Sequence, residues 1–131
     1  MSFVIYKIPN AWRYEEEVAL MNHNFYKKIK WKSKRTNILK RDNYMCQESK
    51  RYGKTVSATT VHHIYPLEYY PGLAYVNWNL ISLSKNKHNS MHDRDTHELT
   101  ELGKQWQARV KDKFEEWEKN NFFISPLPKN I

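Results

Sequence analysis

The sequence predicts an α+β fold, a small ββα unit with flanking helices, and three observations predict it. Residues 55–64 are rich in β-branched side chains, which favours a strand that runs into His62 and His63. Residues 75–83 form a second short extended run after a loop with two prolines and a glycine. The polar segment 86–93 follows at once and carries His88 and His92 at helical spacing.

The N-terminal segment is predicted to be an arm followed by a helix. Residues 3–8 favour a short strand or extended arm that Pro9 closes, and residues 12–31 have a helical composition. Apolar residues recur in the second segment at spacings of three and four, which places them on one helical face. They are Val18, Met21, Phe25 and Ile29.

The basic segment 32–42 is predicted to form a short helix with Ser33 as its cap. Ile38 and Leu39 would face inward, whereas the basic side chains would face outward. These are Lys34, Arg35, Lys40 and Arg41. Such a face can contact nucleic-acid phosphates, or it can be an ordinary solvated helix face, and this segment alone leaves both interpretations open.

The last third predicts a long amphipathic helix that begins between Asp95 and Thr100. Its apolar residues recur at spacings of three or four and form one stripe, which we expect to pack onto the core. They are Leu99, Leu102, Trp106, Val110, Phe114 and Trp117. After Asn121 the tail contains two prolines and should be irregular.

Length, charge and cysteine content limit the class of protein. The 131 residues suit a single domain over 1–131, and the net charge of +8 favours a polyanionic partner, with nucleic acid first. A merely basic soluble protein is the alternative. One cysteine, Cys46, excludes an intramolecular disulfide and a multi-cysteine zinc site. No long apolar run or secretory signal is present, so we expect a cytoplasmic protein with no membrane partner.

Four histidines within a window of 31 residues indicate a metal site. If His88 and His92 lie on one helix, their imidazoles project from the same face one turn apart and can share a divalent ion. A strand residue must complete the site, and His62 and His63 could divide this task because one imidazole can turn to the metal and the other to a substrate. A single histidine of this kind is more often a surface or core group, so the metal site is inferred from the four histidines together.

The residues that carry these histidines resemble a known family. The segment VHHIYPLEYYPGLAYVNWNLISLSKNKHNSMH is similar to the HNH motif of homing, phage and colicin-type nucleases, which is built on a ββα-metal finger. The upstream stretch WKSKRTNILKRDNYMCQ resembles the lead-in of phage HNH proteins. Together the resemblance covers about residues 31–94, with residues 1–30 and 95–131 outside the motif core.

The resemblance implies a role for each matching residue. His63 would be the general base, and Asn79 would orient it by hydrogen bonding across the hairpin. His62, His88 and His92 would bind one divalent ion, which could be magnesium, manganese, nickel or zinc. Cleavage would leave 5′-phosphate and 3′-hydroxyl ends.

The resemblance also implies partners. DNA is the expected substrate, in a phage setting where such proteins assist genome packaging beside the terminase. Lys85 and Lys87 would add to the DNA-contacting surface formed by the basic helix. We expect a monomer or weak dimer in the cytoplasm of a bacterial host cell.

The sequence departs from the phage pattern at the structural zinc. Many phage HNH proteins bind this zinc with two C-x-x-C pairs, whereas the matching positions here are Cys46, Ser49, Ser84 and Lys87. Zinc of this kind usually needs four Cys or His ligands, so we expect no structural zinc. Hydrogen bonding by the two serines, the lysine stem and aromatic packing would hold the finger instead.

Two other functions remain open from the sequence. One is a catalytically weak or inactive nucleic-acid-binding module on the same fold, which the loss of the zinc ligands would allow. The other is a zinc-finger-like interaction protein, which the single cysteine disfavours.

Overall fold

The computed structural model describes residues 20–121, so the predicted N-terminal arm, Val18 and the tail lie outside the described residues. Residues 20–27 are helical and are labelled α1. The elements that follow are α2 (Ile29–Arg41), α3 (Gln47–Lys50), β1 (Thr60–His63), β2 (Leu80–Leu83), α4 (Lys85–Asn89), α5 (Glu101–Arg109) and α6 (Lys111–Asn120). This mixture of helices with a small sheet confirms the predicted α+β class and the ββα order.

The centre of the fold is an antiparallel hairpin formed by β1 and β2, in which His62 pairs with Ile81 and His63 with Leu80. Successive strand residues point to opposite faces. Val61 and His63 therefore share one face, and His62 lies on the other. Two neighbouring histidines thus reach two different environments.

Two apolar clusters cover the two faces of this hairpin. The first joins the hairpin to α1 and α2 and contains Phe25, Trp31, Ile38, Leu39, Ala58, Val61, Leu67, Ala74 and Leu80. The second contains Cys46, Ile64, Tyr65, Leu73, Ile81, Leu83 and Met91, with the stripe of α5 and α6 packed against it. The prediction that the C-terminal apolar stripe packs onto the core is therefore confirmed for all its members except Leu99, which precedes α5 and lies outside this cluster.

The helical region before the hairpin differs in detail from the prediction. Lys28 is extended and separates α1 from α2, so Met21, 44% exposed, and Ile29, 84% exposed, do not share a buried face with Phe25. Ser33 lies inside α2 rather than at its cap, because the helix begins at Ile29.

The inward face of α2 is as predicted. Ile38 and Leu39 are both buried in the first cluster.

The C-terminal amphipathic segment consists of two consecutive helices rather than one long helix, because Val110 leaves the helical conformation with φ −109°. Thr100 caps α5 and accepts a hydrogen bond from the Gly103 amide, so a predicted start is confirmed. A Cβ at Gly103 would lie 2.6 Å from Leu99 Cγ and 2.7 Å from the Met91 carbonyl oxygen. Glycine is therefore required there by close packing.

Helix α4 is short, and Ser84 caps it by accepting a hydrogen bond from the Lys87 amide. The helix ends at Asn89, so the prediction that His88 and His92 lie on one helix is wrong. His92 instead forms an isolated antiparallel bridge with Leu99. Across residues 20–121, no helix has the length and apolar character needed to cross a membrane.

Candidate active site

Three histidines from different elements meet beside the hairpin. His62 lies in β1 and is 1% exposed, and its ring centroid is 5.4 Å from that of His88 and 5.7 Å from that of His92. The three predicted metal ligands are therefore neighbours, although His92 comes from the loop after α4. We call this group the histidine cluster.

One ring nitrogen of His62 lacks a hydrogen-bond partner. Its Nε2 atom is buried and has no hydrogen-bond partner within residues 20–121. A buried polar atom without a partner is costly, and such atoms usually have a structural or functional reason. A bound cation that accepts the nitrogen lone pair is one such reason.

Burial keeps the histidine cluster neutral. Burial, followed by the charges of neighbouring histidines, lowers the pKa of His62 well below its ordinary value and lowers the pKa of His88. Burial also lowers the pKa of His92, although the charge of Glu68 opposes this shift. A neutral imidazole is the form that binds a metal, so the donor set fits a divalent ion.

The side chains are not already arranged around an ion position. Within the described part of the chain, no three His, Cys, Asp or Glu side chains are placed together as a ready ligand set. The imidazoles of His88 and His92 each lie beside that of His62, so a metal ion would be bound only after these side chains adjust.

His63 lies on the other face of the hairpin, in an aromatic environment. Its ring stacks on Trp31 at 5.0 Å and meets Phe25 edge-on at 5.8 Å. Its Nε2 lies 3.1 Å from the Ala74 carbonyl oxygen. Because a carbonyl can only accept, Nε2 carries the proton and Nδ1 presents its lone pair.

The environment of His63 also favours a neutral ring. Burial lowers its pKa to about 4, although the hydrogen bond to Ala74 partly opposes the shift. The ring is therefore a free base at neutral pH, which is the state that a general base needs before it accepts a proton.

Asn79 is fully buried and bonds to backbone atoms. Its Oδ1 accepts from the Tyr65 amide at 2.7 Å, and its Nδ2 lies 3.2 Å from the carbonyl oxygens of Tyr65 and Leu73. The predicted bonding across the hairpin is thus directed to the backbone that follows His63, and not to the imidazole. Leu73 precedes Ala74, so Asn79 fixes the loop whose carbonyl holds the His63 ring.

One pocket of about 280 Å³ brings both histidine environments together, since its lining includes His63 and all three members of the histidine cluster. Its wall also contains Tyr26 from α1 and Glu68 from the loop after β1. The sequence analysis did not select these two side chains. Tyr26 lies outside the motif, and nothing in the spacing of Glu68 distinguishes it from a surface carboxylate.

No protein-family model and no curated protein matches the sequence. Among solved structures, the HNH endonuclease of the deep-sea thermophilic bacteriophage GVE2, crystallised with a manganese ion, matches with a TM-score of 0.54 and 31% identity. The match covers 59% of this chain and 85% of the phage chain. The chain belongs to the HNH endonuclease family. Membership confirms the resemblance of the motif and supports a nuclease function in general terms.

The basic residues predicted to contact DNA differ in how freely they can do so in this HNH protein. Arg35 lines the pocket while it donates to the Thr59 carbonyl oxygen, and Lys34 donates to Asn77 Oδ1. Arg41 is engaged within the protein, as it donates to the carbonyl oxygens of Asn77 and Leu80 and forms an ion pair with Asp42 at 2.8 Å. Its position indicates a structural role.

The remaining basic candidates lie closer to solvent. Lys40 and Lys85 are exposed, and Lys87 is half-buried. These side chains are placed where an approaching polyanion could contact them.

The positions that match the structural zinc ligands of other HNH proteins lie together in this structure. Cys46 is fully buried. Burial alone would raise the pKa of its thiol, but hydrogen bonds from Ser49 and Ser84 hold this pKa below its ordinary value. Ser84 Oγ also accepts a hydrogen bond from the Lys87 amide at 3.2 Å, so one of the two serines takes part in the hydrogen bonding that was predicted for them.

Proposed function

We propose that this protein is a metal-dependent endonuclease that hydrolyses DNA phosphodiester bonds. The observation that carries the proposal is the histidine cluster with the unpartnered, buried Nε2 of His62, placed in the same pocket as the neutral imidazole of His63. A nuclease of this kind needs both a cation site and a base at one phosphate. Family membership supports the same assignment.

In this proposal His62, His88 and His92 hold one divalent ion. The ion would supply positive charge for the phosphate and the leaving oxygen, and magnesium, manganese, nickel and zinc are candidates. The manganese in the related phage enzyme supports a divalent ion, and imidazole donors favour the transition metals over magnesium.

His63 performs the proton transfer in this proposal. Its Nδ1 takes a proton from a water molecule while the water oxygen attacks the phosphorus, and the bond to the 3′-oxygen breaks. The ring keeps its orientation because Nε2 donates to the Ala74 carbonyl, which lies in the loop that Asn79 fixes. The products carry 5′-phosphate and 3′-hydroxyl ends.

The net charge of +8 would attract DNA, and the exposed lysines with Arg35 would contact its phosphates. The related enzyme comes from a bacteriophage, which supports a phage setting. A role in DNA packaging beside a terminase, in the cytoplasm of a bacterial host, is part of this proposal and rests on the resemblance of the motif alone. A monomer with one site would cut one strand at a time.

The test is a plasmid-nicking assay with each of the four metals. We expect nicking by the wild type, loss of at least about a hundredfold in rate for His63→Ala, and retained DNA binding. The exposed His23 supplies a matched control, since His23→Ala also removes an imidazole but lies outside the pocket. Analysis of the ends separates 5′-phosphate from 3′-phosphate products.

Metal binding is measured separately by titration calorimetry. His62→Ala should weaken binding of manganese by at least tenfold, because it removes the most buried donor. A wild type that binds DNA and cuts with none of the four metals would contradict the enzyme and favour the inactive binding module.

A further inference from the structure

Helix α1 contributes a side chain to the pocket that lies outside the HNH motif. The hydroxyl of Tyr26 is within hydrogen-bonding distance, 3.4 Å, of Nδ1 of His63, which is the ring nitrogen that carries no proton. Tyr26 is 42% exposed and lines the pocket, so part of its side chain faces a molecule that enters. The unprotonated nitrogen of the base therefore accepts a long hydrogen bond from the phenolic hydroxyl.

The position of this hydroxyl is fixed from two sides. The Tyr26 ring packs edge-on against Phe25 at 5.2 Å and against Trp31 at 5.6 Å. One helical turn earlier, Asn22 Nδ2 donates to Glu68 Oε2 at 3.2 Å, which ties α1 to the loop after β1. The Tyr26 ring is thus held by packing, and the helix that carries it is held to the neighbouring loop by a hydrogen bond.

The hydroxyl stays protonated under the conditions in which nucleases act. Burial, with a smaller contribution from the charge of Glu68, raises the pKa of Tyr26 to about 12. A protonated phenol can both donate and accept a hydrogen bond. It is therefore suited to orient a water molecule without taking its proton.

We propose that Tyr26 holds the attacking water beside Nδ1 of His63, and this role rests on the proposed nuclease function. A hydrogen bond to water spans about 2.8 Å, so one water molecule can contact two atoms that are 3.4 Å apart. Such a water has one proton directed to the base and its oxygen free to face a phosphate. This arrangement gives the pocket a defined nucleophile position.

In the resulting step, an O–H bond of the water breaks and its proton passes to Nδ1 of His63. The water oxygen forms a bond to phosphorus, and the bond between phosphorus and the 3′-oxygen breaks. The 3′-oxygen takes a proton from solvent water, and His63 returns its proton to solvent. Tyr26 ends the step unchanged.

The test removes only the hydroxyl, with Tyr26→Phe. Loss of one positioned hydrogen-bonding group at a reacting atom typically costs ~10²–10³ in rate, so we expect kcat to fall at least about tenfold with KM within threefold. Tyr75→Phe is the control, since Tyr75 also packs against Phe25, at 5.3 Å, but does not line the pocket. Thermal melting should show all three proteins equally folded.

A second measurement does not depend on cleavage. In metal-free protein labelled with ¹⁵N-histidine, Tyr26→Phe should shift the Nδ1 resonance of His63 and leave its Nε2 resonance near the wild-type position. Tyr75→Phe should shift neither. A role for Tyr26 in packing alone would not separate the two nitrogens in this way.

The outcomes distinguish this proposal from the nuclease assignment. If the wild type cuts DNA and His63→Ala does not, but Tyr26→Phe has wild-type kcat, then only the role of Tyr26 is overturned. A faster Tyr26→Phe enzyme would also overturn it, since the hydroxyl would then block the base. A wild type that fails to cut DNA with every divalent ion tested would overturn both proposals.

Discussion

At the scale of single residues, the structure separates basic side chains that are available to DNA from those that hold the fold. Arg41 uses its guanidinium to join the end of α2 to the hairpin through Asn77, Leu80 and Asp42. Lys40, its neighbour, is exposed. The sequence placed both on one basic face because periodicity reports the direction of a side chain and not its partners.

Arg41→Gln should therefore lower stability rather than DNA affinity. Each intramolecular hydrogen bond contributes roughly 1 kcal/mol, so we expect the free energy of unfolding to fall by about 1–3 kcal/mol. Lys40→Gln removes the same charge from an exposed site and should leave stability within about 0.5 kcal/mol while weakening DNA binding. Urea denaturation and a DNA-binding titration check both expectations. Equal stability of the two variants would contradict the structural role of Arg41.

At the scale of elements, the sequence predicted the parts whose pattern is local. The strand that ends in the two histidines, the inward face at Ile38 and Leu39, and the Thr100 cap are all present. Two helix ends were missed, at Lys28 and at Val110. At both residues the backbone leaves the helical conformation although the apolar periodicity of the sequence continues. Tertiary packing decides such breaks, since the residues on both sides are acceptable in a helix.

The candidate site was likewise predicted where the sequence pattern is local and missed where tertiary packing decides. The motif identified the histidine cluster and His63, because their order along the chain carries the resemblance. The spacing of His88 and His92 suggested one shared helix, but α4 ends at Asn89. A spacing of four residues is also compatible with a loop. Tyr26 could not be predicted, since only the packing of α1 against the hairpin brings it to His63.

The loops around Cys46 lead to a prediction about the lost zinc site. The sulfur is within hydrogen-bonding reach of Ser49 and Ser84, and the Lys87 amide donates to Ser84 Oγ at 3.2 Å. The triple variant Ser49→Cys/Ser84→Cys/Lys87→Cys should therefore bind one more zinc ion per chain than the wild type and melt at a higher temperature.

Metal analysis after dialysis measures this difference, and cobalt substitution gives a thiolate absorption band that reports the ligands. Three cysteines at exposed positions, Ser33→Cys/Lys54→Cys/Ser57→Cys, form the control and should not bind the additional ion. Equal zinc content in the triple variant and the wild type would show that these four positions cannot form a tetrahedral site.

At the scale of the whole molecule, the two-stranded hairpin separates two environments, one on each of its faces. Its alternation sends His62 to the histidine cluster on one face and His63 to the aromatic cluster of α1 and α2 on the other. The pocket at the end of β1 then joins the two environments. Helix α1 lies outside the motif and still matters, because its Phe25 and Tyr26 pack against the His63 ring and help to bury it.

This burial makes the stability of the metal-free protein depend on pH. Burial lowers the pKa of folded His63 to about 4, whereas an unfolded histidine titrates near 6.5, so between these values the unfolded chain binds more protons. The contribution to stability is complete above about pH 6.5 and is lost as the pH falls towards about 4. For His63 alone the loss of stability is of the order of 3 kcal/mol, and the histidine cluster acts in the same direction.

Urea denaturation in the presence of a chelator, from pH 7.5 to 4.5, measures this loss of stability. His63→Gln should lose less stability than the wild type as the pH falls, since carboxylate protonation affects both proteins equally. If the free energy of unfolding falls equally with pH in the two proteins, protonation of His63 in the folded protein does not lower stability, which contradicts the prediction.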